Sequence, residues 1–226
     1  MKNKSFLLMV LIVVIGCSKK PINYEELLVE RDSVFFISSN GEPYSGSVFS
    51  LHENGNKKVV GTLNDGKWDG YQEEWYRNGE NRWKGNFKLG ERDGLWSEWY
   101  EGGKKKREKS FVNGLGEGIS ISWYENGNKK TEHYLVNGLT EGTSTLWYEF
   151  GQIHGKGTFK RGERQGLHTE WFENGQKERE GLYKNGKEKG LWTIWLINGR
   201  IESEVKFKDG RITSFRDQDT GKFVDL

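Results

Sequence analysis

The chain is poor in the residues that staple a fold or interrupt it. Its one cysteine, Cys17, excludes an internal disulfide framework and any multi-cysteine metal site. It has two prolines, Pro21 and Pro43, so nothing after position 43 reads as a proline-marked linker and one continuous domain is expected. Apolar residues make up 33% of the chain, and 14% of the chain is aromatic, which leaves few aliphatic side chains for an ordinary core. Charge of one sign is also missing. The 35 basic and 33 acidic residues give a net charge of +2, and loss of Lys2 and Lys4 with a leader peptide would bring it to zero. Such a balance lacks the basic surface that sequence-independent nucleic-acid binding needs. Runs such as Lys104-Lys105-Lys106-Arg107 are followed at once by Glu108 and read as solvated strand or turn. No segment holds apolar residues at i, i+3, i+4 and i+7 for three turns, which argues against helix.

Glycine is abundant, and it is ordered. Gly46, Gly70, Gly94, Gly118, Gly142, Gly166 and Gly190 fall 24 residues apart without a slip. A fixed period of this size marks a repeat architecture, in which each supersecondary unit buries its surface against its neighbours. Five residues after the leading glycine comes Trp75, Trp99, Trp123, Trp147, Trp171 or Trp195, with Leu51 in the first copy. The next residue is Tyr76, Tyr100, Tyr124, Tyr148 or Phe172, and then comes a turn, most often Asn-Gly as in Asn78-Gly79 and Asn126-Gly127. Asn-Gly between short aromatic runs is the strongest local hairpin signal, because both residues accept the positive φ of a type I′ turn. A charged stretch then leads to one apolar residue, such as Phe87, Phe111 or Leu135, and a second glycine turn closes the unit. The expectation is an all-β fold, an elongated solenoid or meander of seven 24-residue hairpins with about fourteen strands. At roughly 4.8 Å between strands, its sheet would extend ~60–70 Å.

The rings supply the missing core. The row Trp75, Trp99, Trp123, Trp147, Trp171 and Trp195 is expected to pack with the Phe111 row as the structural core of the repeats. Glycine at 61, 85, 157 and 181 would leave room for a neighbouring ring. Adjacent strand residues point to opposite faces, so an inward Trp99 puts Tyr100 outward. Tyr76, Tyr100, Tyr124, Tyr148 and Phe172 are therefore the candidate row for binding a partner or a sugar; the alternative is that they pack against one another and against Lys and Arg stems.

The pattern W-Y-x-N-G-x-K-K…N-G, clearest at Trp75–Gly90, Trp123–Gly138 and Trp171–Gly186, resembles the MORN repeat in its bacterial variant form and covers about 46–212. The resemblance implies a hairpin solenoid used for scaffolding, protein contact or membrane contact. Enzymes that contain such arrays carry their chemistry in another domain, and some bacterial relatives are named as antitoxins. Leu51-His52 in the first copy and Leu196 in the seventh depart from the pattern, as caps of a solenoid should.

Residues 1–16 form a separate object. Lys2 and Lys4 precede ten apolar residues, Phe6 to Ile15, too few to span a bilayer as a helix but suited to a signal-peptide core. The segment Val14-Ile15-Gly16-Cys17 resembles a bacterial lipobox, which implies acylation at Cys17 and a membrane-anchored envelope location; Ser18 resembles lipoproteins sorted to an outer membrane. Two or three acyl chains would hold the chain stably on a bilayer. The remaining divisions are a lipidated tether with a partial hairpin at 17–45, the array at 46–212, and a closing strand or tail at 213–226.

Catalytic, metal and cofactor sites are expected to be absent. His52, His133, His154 and His168 occupy four different repeat positions, without metal-ligand spacing. Glu74, Glu98 and Glu170 share one repeat position and read as a polar sheet face rather than as a catalytic pair. The expected function is a non-enzymatic, lipid-anchored envelope protein presenting a repeat surface to a protein partner. The alternatives are a cell-wall polysaccharide binder acting through the tyrosine row, or an antitoxin or immunity protein.

Overall fold

The computed structural model describes residues 20–226 except Gln218; the leader segment and Cys17 lie outside the described residues. The chain folds as one 18-stranded sheet with a separate two-stranded hairpin at its N-terminal end. Each repeat supplies a leading strand, such as Glu91–Trp99, Leu115–Trp123 or Leu139–Trp147, and a return strand, such as Lys105–Val112, Lys129–Val136 or Ile153–Lys160. Every strand of the array pairs antiparallel with its sequence neighbours in the same register from copy to copy. The seven hairpins account for fourteen strands; Ile22–Asn23, Lys67–Trp68, Arg211–Arg216 and Phe223–Asp225 complete the sheet.

The turns reverse the expected roles of their glycines. Left-handed backbone at two successive residues, the type I′ pattern, occurs between repeats, as at Asn113 (φ 48°) and Gly114 (φ 75°). The turns inside the repeats, at Asn54-Gly55, Asn78-Gly79 and Asn126-Gly127, keep Asn in ordinary backbone and place only Gly at positive φ. There the Gly79 amide donates to the Tyr76 carbonyl at 3.0 Å, a type I turn closed by a bulge. The freed asparagine reaches across repeats: Asn78 Nδ2 donates to the Glu101 carbonyl at 2.8 Å, and Asn126 Nδ2 to the Glu149 carbonyl at 2.6 Å.

The N-terminal stretch expected to be a tether folds from Ile22 onward. Its short helix Tyr24–Leu27 and hairpin Leu28–Arg31/Val34–Ile37 bring Leu28 and Phe35 into a core with Tyr44, Val48 and Leu63. This cluster covers the first repeat, whose own leading strand lacks a tryptophan. At the other end Phe223–Asp225 pairs with Arg211–Arg216, a closing strand rather than a loose tail.

The two faces of the array differ from expectation in which rings they bury. Phe111 is buried beside Trp96, two residues after the leading glycine, with ring centroids 6.3 Å apart. Trp99, three residues further on, lies on the opposite face, half-buried under Lys84, whose ammonium sits 5.2 Å from its ring. Trp75, Trp123, Trp147 and Trp195 are capped likewise by Lys57, Lys105, Lys129 and Lys177. The buried row is that of Trp96 rather than that of Trp99. The reason is local: the fifth position ends the strand at a bulge, where long lysine stems rather than neighbouring rings cover it.

Candidate functional site

Across the strands of the buried face, the second residue after each leading glycine alternates with a mid-strand residue of each return strand. In chain order these are Val48, Gly61, Gln72, Gly85, Trp96, Lys109, Ser120, His133, Ser144, Gly157, His168, Gly181, Trp192 and Val205. Towards both ends the rule is a ring beside a glycine. A Cβ on Gly181 would stand 2.2 Å from the Trp192 ring, and one on Gly85 would stand 2.4 Å from Trp96, so only glycine leaves these rings their place. The ring N–H groups are satisfied by one geometry: Trp96 Nε1 donates to the Asn86 carbonyl at 3.0 Å and Trp192 Nε1 to the Leu182 carbonyl at 3.3 Å. His168 Nε2 lies 2.8 Å from the Thr158 carbonyl in the equivalent place, which requires the proton on Nε2.

These rings form two ladders. The first runs through Phe35, Trp68, Phe87, Trp96 and Phe111 with successive centroids 4.9–6.4 Å apart. Trp83 stacks on Trp96 at 5.0 Å, and Arg92 lies 4.4 Å from the Trp96 ring. The second runs through Phe159, His168, Tyr183, Trp192 and Phe207 at 4.8–6.0 Å. Between Phe111 and Phe159 the ladder is interrupted. The alternation there reads Lys109, Ser120, His133 and Ser144, with buried Leu135 as the apolar residue of that repeat.

The interruption opens a cavity of about 360 Å³ lined by Lys106, Arg107, Lys109 and Lys130, the hydroxyls of Ser120, Ser122 and Thr131, the His133 imidazole, Tyr100 and Trp123. No carboxylate lines it. Arg107 reaches Glu98 only at 4.0 Å, and among the described residues Lys106, Lys109 and Lys130 have no carboxylate oxygen within 4.0 Å. Burial, helped by the charges of Arg107 and Arg92 and opposed by that of Glu98, lowers the Lys109 pKa from its ordinary value. Burial, with Lys109 and Arg107 beside it, lowers that of His133. A second cavity of about 210 Å³ continues past Ser144 to His154, Lys156, His168 and Glu170. Its carboxylate is spoken for: Arg179 holds Glu170 through two hydrogen bonds of 2.8 and 2.7 Å. Burial pushes the Glu170 pKa up, the Arg179 pair pulls it down, and the net direction is down.

Four units of the array match the MORN repeat. The family model for the MORN repeat variant matches four consecutive units, residues 92–113, 116–137, 140–161 and 164–185. Both cavities lie within the matched MORN units, and the same hairpin register continues on either side of them. No curated protein matches the chain significantly.

Along the array the tyrosine row serves the scaffold. Tyr76, Tyr100, Tyr124 and Tyr148 each donate a hydroxyl to the carbonyl of the tryptophan one repeat on, Trp99, Trp123, Trp147 and Trp171, at 2.7–2.8 Å. His52 Nε2 makes the equivalent contact with the Trp75 carbonyl at 2.9 Å, while Phe172 has no hydroxyl to offer. Arg82, Lys106 and Lys130 lie 5.3–5.9 Å from the rings of Tyr76, Tyr100 and Tyr124. The remaining candidates are dispersed. Glu74 pairs with Arg82, Glu98 faces Arg107, and of the four histidines only His154 and His168 share a cavity, with His154 against Tyr148 at 4.4 Å. The Lys104–Arg107 run is divided, with Lys105 bonded to Glu108 on the tryptophan face and Lys106 and Arg107 turned to the cavity. Lys109, Ser120, His133 and Ser144 were not anticipated as a group. The signal was present where Lys109 and His133 stand in the position that holds Gly61, Gly85, Gly157 and Gly181.

Proposed function

We propose that this MORN array is a non-enzymatic binding scaffold, carried on a bacterial envelope membrane by acylated Cys17, and that its tryptophan face docks a protein partner. One observation carries the docking. In five of the seven repeats the first residue after the leading glycine is an exposed apolar one, and Tyr71, Leu95, Ile119, Leu167 and Leu191 form a stripe, with 44–61% of each residue's surface exposed and Thr143 between the third and fourth of them. Tyr134 and Leu182, directly across from Ile119 and Leu167, widen it. Isolated exposed apolar residues need no explanation, but a row repeated at one position along a sheet is the pattern of an interaction surface. The lysine-capped tryptophans run beside this stripe and give it a charged margin, as interfaces generally have. The polysaccharide reading is weaker, because the hydroxyls of Tyr76, Tyr100, Tyr124 and Tyr148 already bond the next repeat. An immunity protein would use the same stripe with a toxin as its partner, and growth rescue on co-expression would identify that case.

The test is photo-crosslinking from Leu95 and Leu167 in cells, in wild type and in a Leu95→Asp/Ile119→Asp/Leu167→Asp variant probed from a neighbouring position. A discrete crosslinked protein whose purified form binds wild type at least tenfold tighter than the variant supports the reading; equal binding contradicts it. Metabolic labelling with a palmitate analogue tests the anchor, with label and membrane retention expected to vanish in Cys17→Ala.

A further inference from the structure

We infer that the gap between the two ring ladders is a binding site for a tetrahedral oxyanion, the phosphate or sulfate group of a small soluble ester. Three observations converge on it. The cavity gathers four cationic side chains and no carboxylate, in a chain whose charges are otherwise balanced. In the neighbouring cavity the cation is answered, with Arg179 held by Glu170 at 2.7 Å; here Arg107 meets Glu98 only at 4.0 Å, and Lys106, Lys109 and Lys130 pair with no carboxylate among the described residues. Here Lys109 and Arg107 stand close enough for each to disfavour its neighbours' charge, a repulsion that a bound anion removes.

The donors also suit an oxyanion. Arg107 offers a planar fork of N–H groups, Lys109 and Lys106 offer point charges, and the Ser120 hydroxyl makes no hydrogen bond among the described residues. Ser122 and Thr131 are bonded to each other at 2.7 Å, which still leaves one hydroxyl proton of that pair free to turn to a ligand. The third observation is the exchange of residue types. Both ladders use glycine opposite a ring at these positions; the middle repeats replace the ring with serine and the glycine with Lys109 and His133, on the same backbone register. The site is finite, its lining drawn from residues 100–133 of two adjacent repeats, which suits a compact ester rather than an extended polymer or a lipid surface.

The test uses the full chain in non-ionic detergent micelles, titrated calorimetrically with inorganic pyrophosphate and with glucose 6-phosphate. Saturable one-site binding is expected for both, weakened at least tenfold by Arg107→Gln and by Lys109→Gln and unchanged by Lys187→Gln, at the first residue of the strand Lys187–Trp195 and outside the cavity. Arg107 is half exposed, so its variant keeps the test valid should Lys109→Gln disturb the fold. Non-saturable binding, or binding unaffected by Arg107→Gln, would overturn the assignment. So would displacement of pyrophosphate by phosphatidic acid nanodiscs with none by glucose 6-phosphate, which would identify a lipid headgroup instead.

Discussion

Trp96 stands two residues after the leading glycine of its repeat; one repeat later Ser120 occupies the same position between Lys109 and His133. Trp192 and Ser144 repeat the contrast nearer the C-terminal end. The backbone is shared: leading strands of nine residues, the same type I′ turns, the same bulge after the fourth position. The difference lies in what fills the space between neighbouring strands. At the ends a ring occupies the volume that glycine leaves, so the face is closed and its stability resides in stacked aromatics. In the middle the volume stays open and its walls are charged. A stacked repeat requires contact only with its neighbours, so two units can give up ring packing while the flanking ladders hold the sheet.

Trp96→Ala and Ser120→Ala test that contrast with one kind of change. The first removes a buried ring in contact with Phe87, Trp83 and Phe111, and a loss of about 3–5 kcal/mol is expected in urea unfolding. The second removes a hydroxyl without a protein partner and should change stability by less than about 0.5 kcal/mol. Gly181→Ala tests the same closure from the other side. The new methyl meets the Trp192 ring, and a cost of about 1–3 kcal/mol is expected as that ring is displaced. The contrast can also be erased. Ser120→Trp combined with Lys109→Gly rebuilds the ring-on-glycine pairing in the middle, with an expected gain of about 1–2 kcal/mol and loss of pyrophosphate binding. A smaller effect is expected away from both regions. Phe172→Tyr would supply the missing hydroxyl to the Trp195 carbonyl and stabilise by about 1 kcal/mol, as read from the melting temperature.

Stability should also depend on pH through the histidines of both regions. His133 and His168 have pKa values lowered from 6.5, chiefly by burial. The unfolded chain therefore takes up protons first as pH falls. The stability associated with the neutral rings is complete above about pH 6.5 and is lost as pH drops through their folded values. Melting temperature should fall from pH 7.5 to 5.5, and less so in His133→Gln.

The architecture was legible because it rests on local, repeated signals. Glycine turns at a fixed spacing dictate hairpins, and seven copies in phase dictate stacking. Burial was harder to read. Trp99 is the most regular aromatic in the repeat, yet the core is organised around Trp96 and Trp192, which recur in only two copies, because strand position and the facing glycine decide which ring is enclosed. Tyr100 was legible as a row but not as a strut, since its partner is a backbone carbonyl one repeat away and no side-chain pattern encodes it. The cationic gap was written in the sequence as exceptions, Lys109 and His133 at glycine positions. Seeing that they share one cavity with Ser120 required the cross-strand register.

The most direct measurement is an NMR titration of the imidazoles of His133 and His168 in the full chain, with and without inorganic pyrophosphate. One ring lines the gap and the other is enclosed in the C-terminal ladder. The expected result is a His133 pKa that rises on addition of pyrophosphate while that of His168 stays where it was. Two histidines that respond alike, or not at all, would contradict the distinction between an open, anion-binding middle and closed aromatic ends.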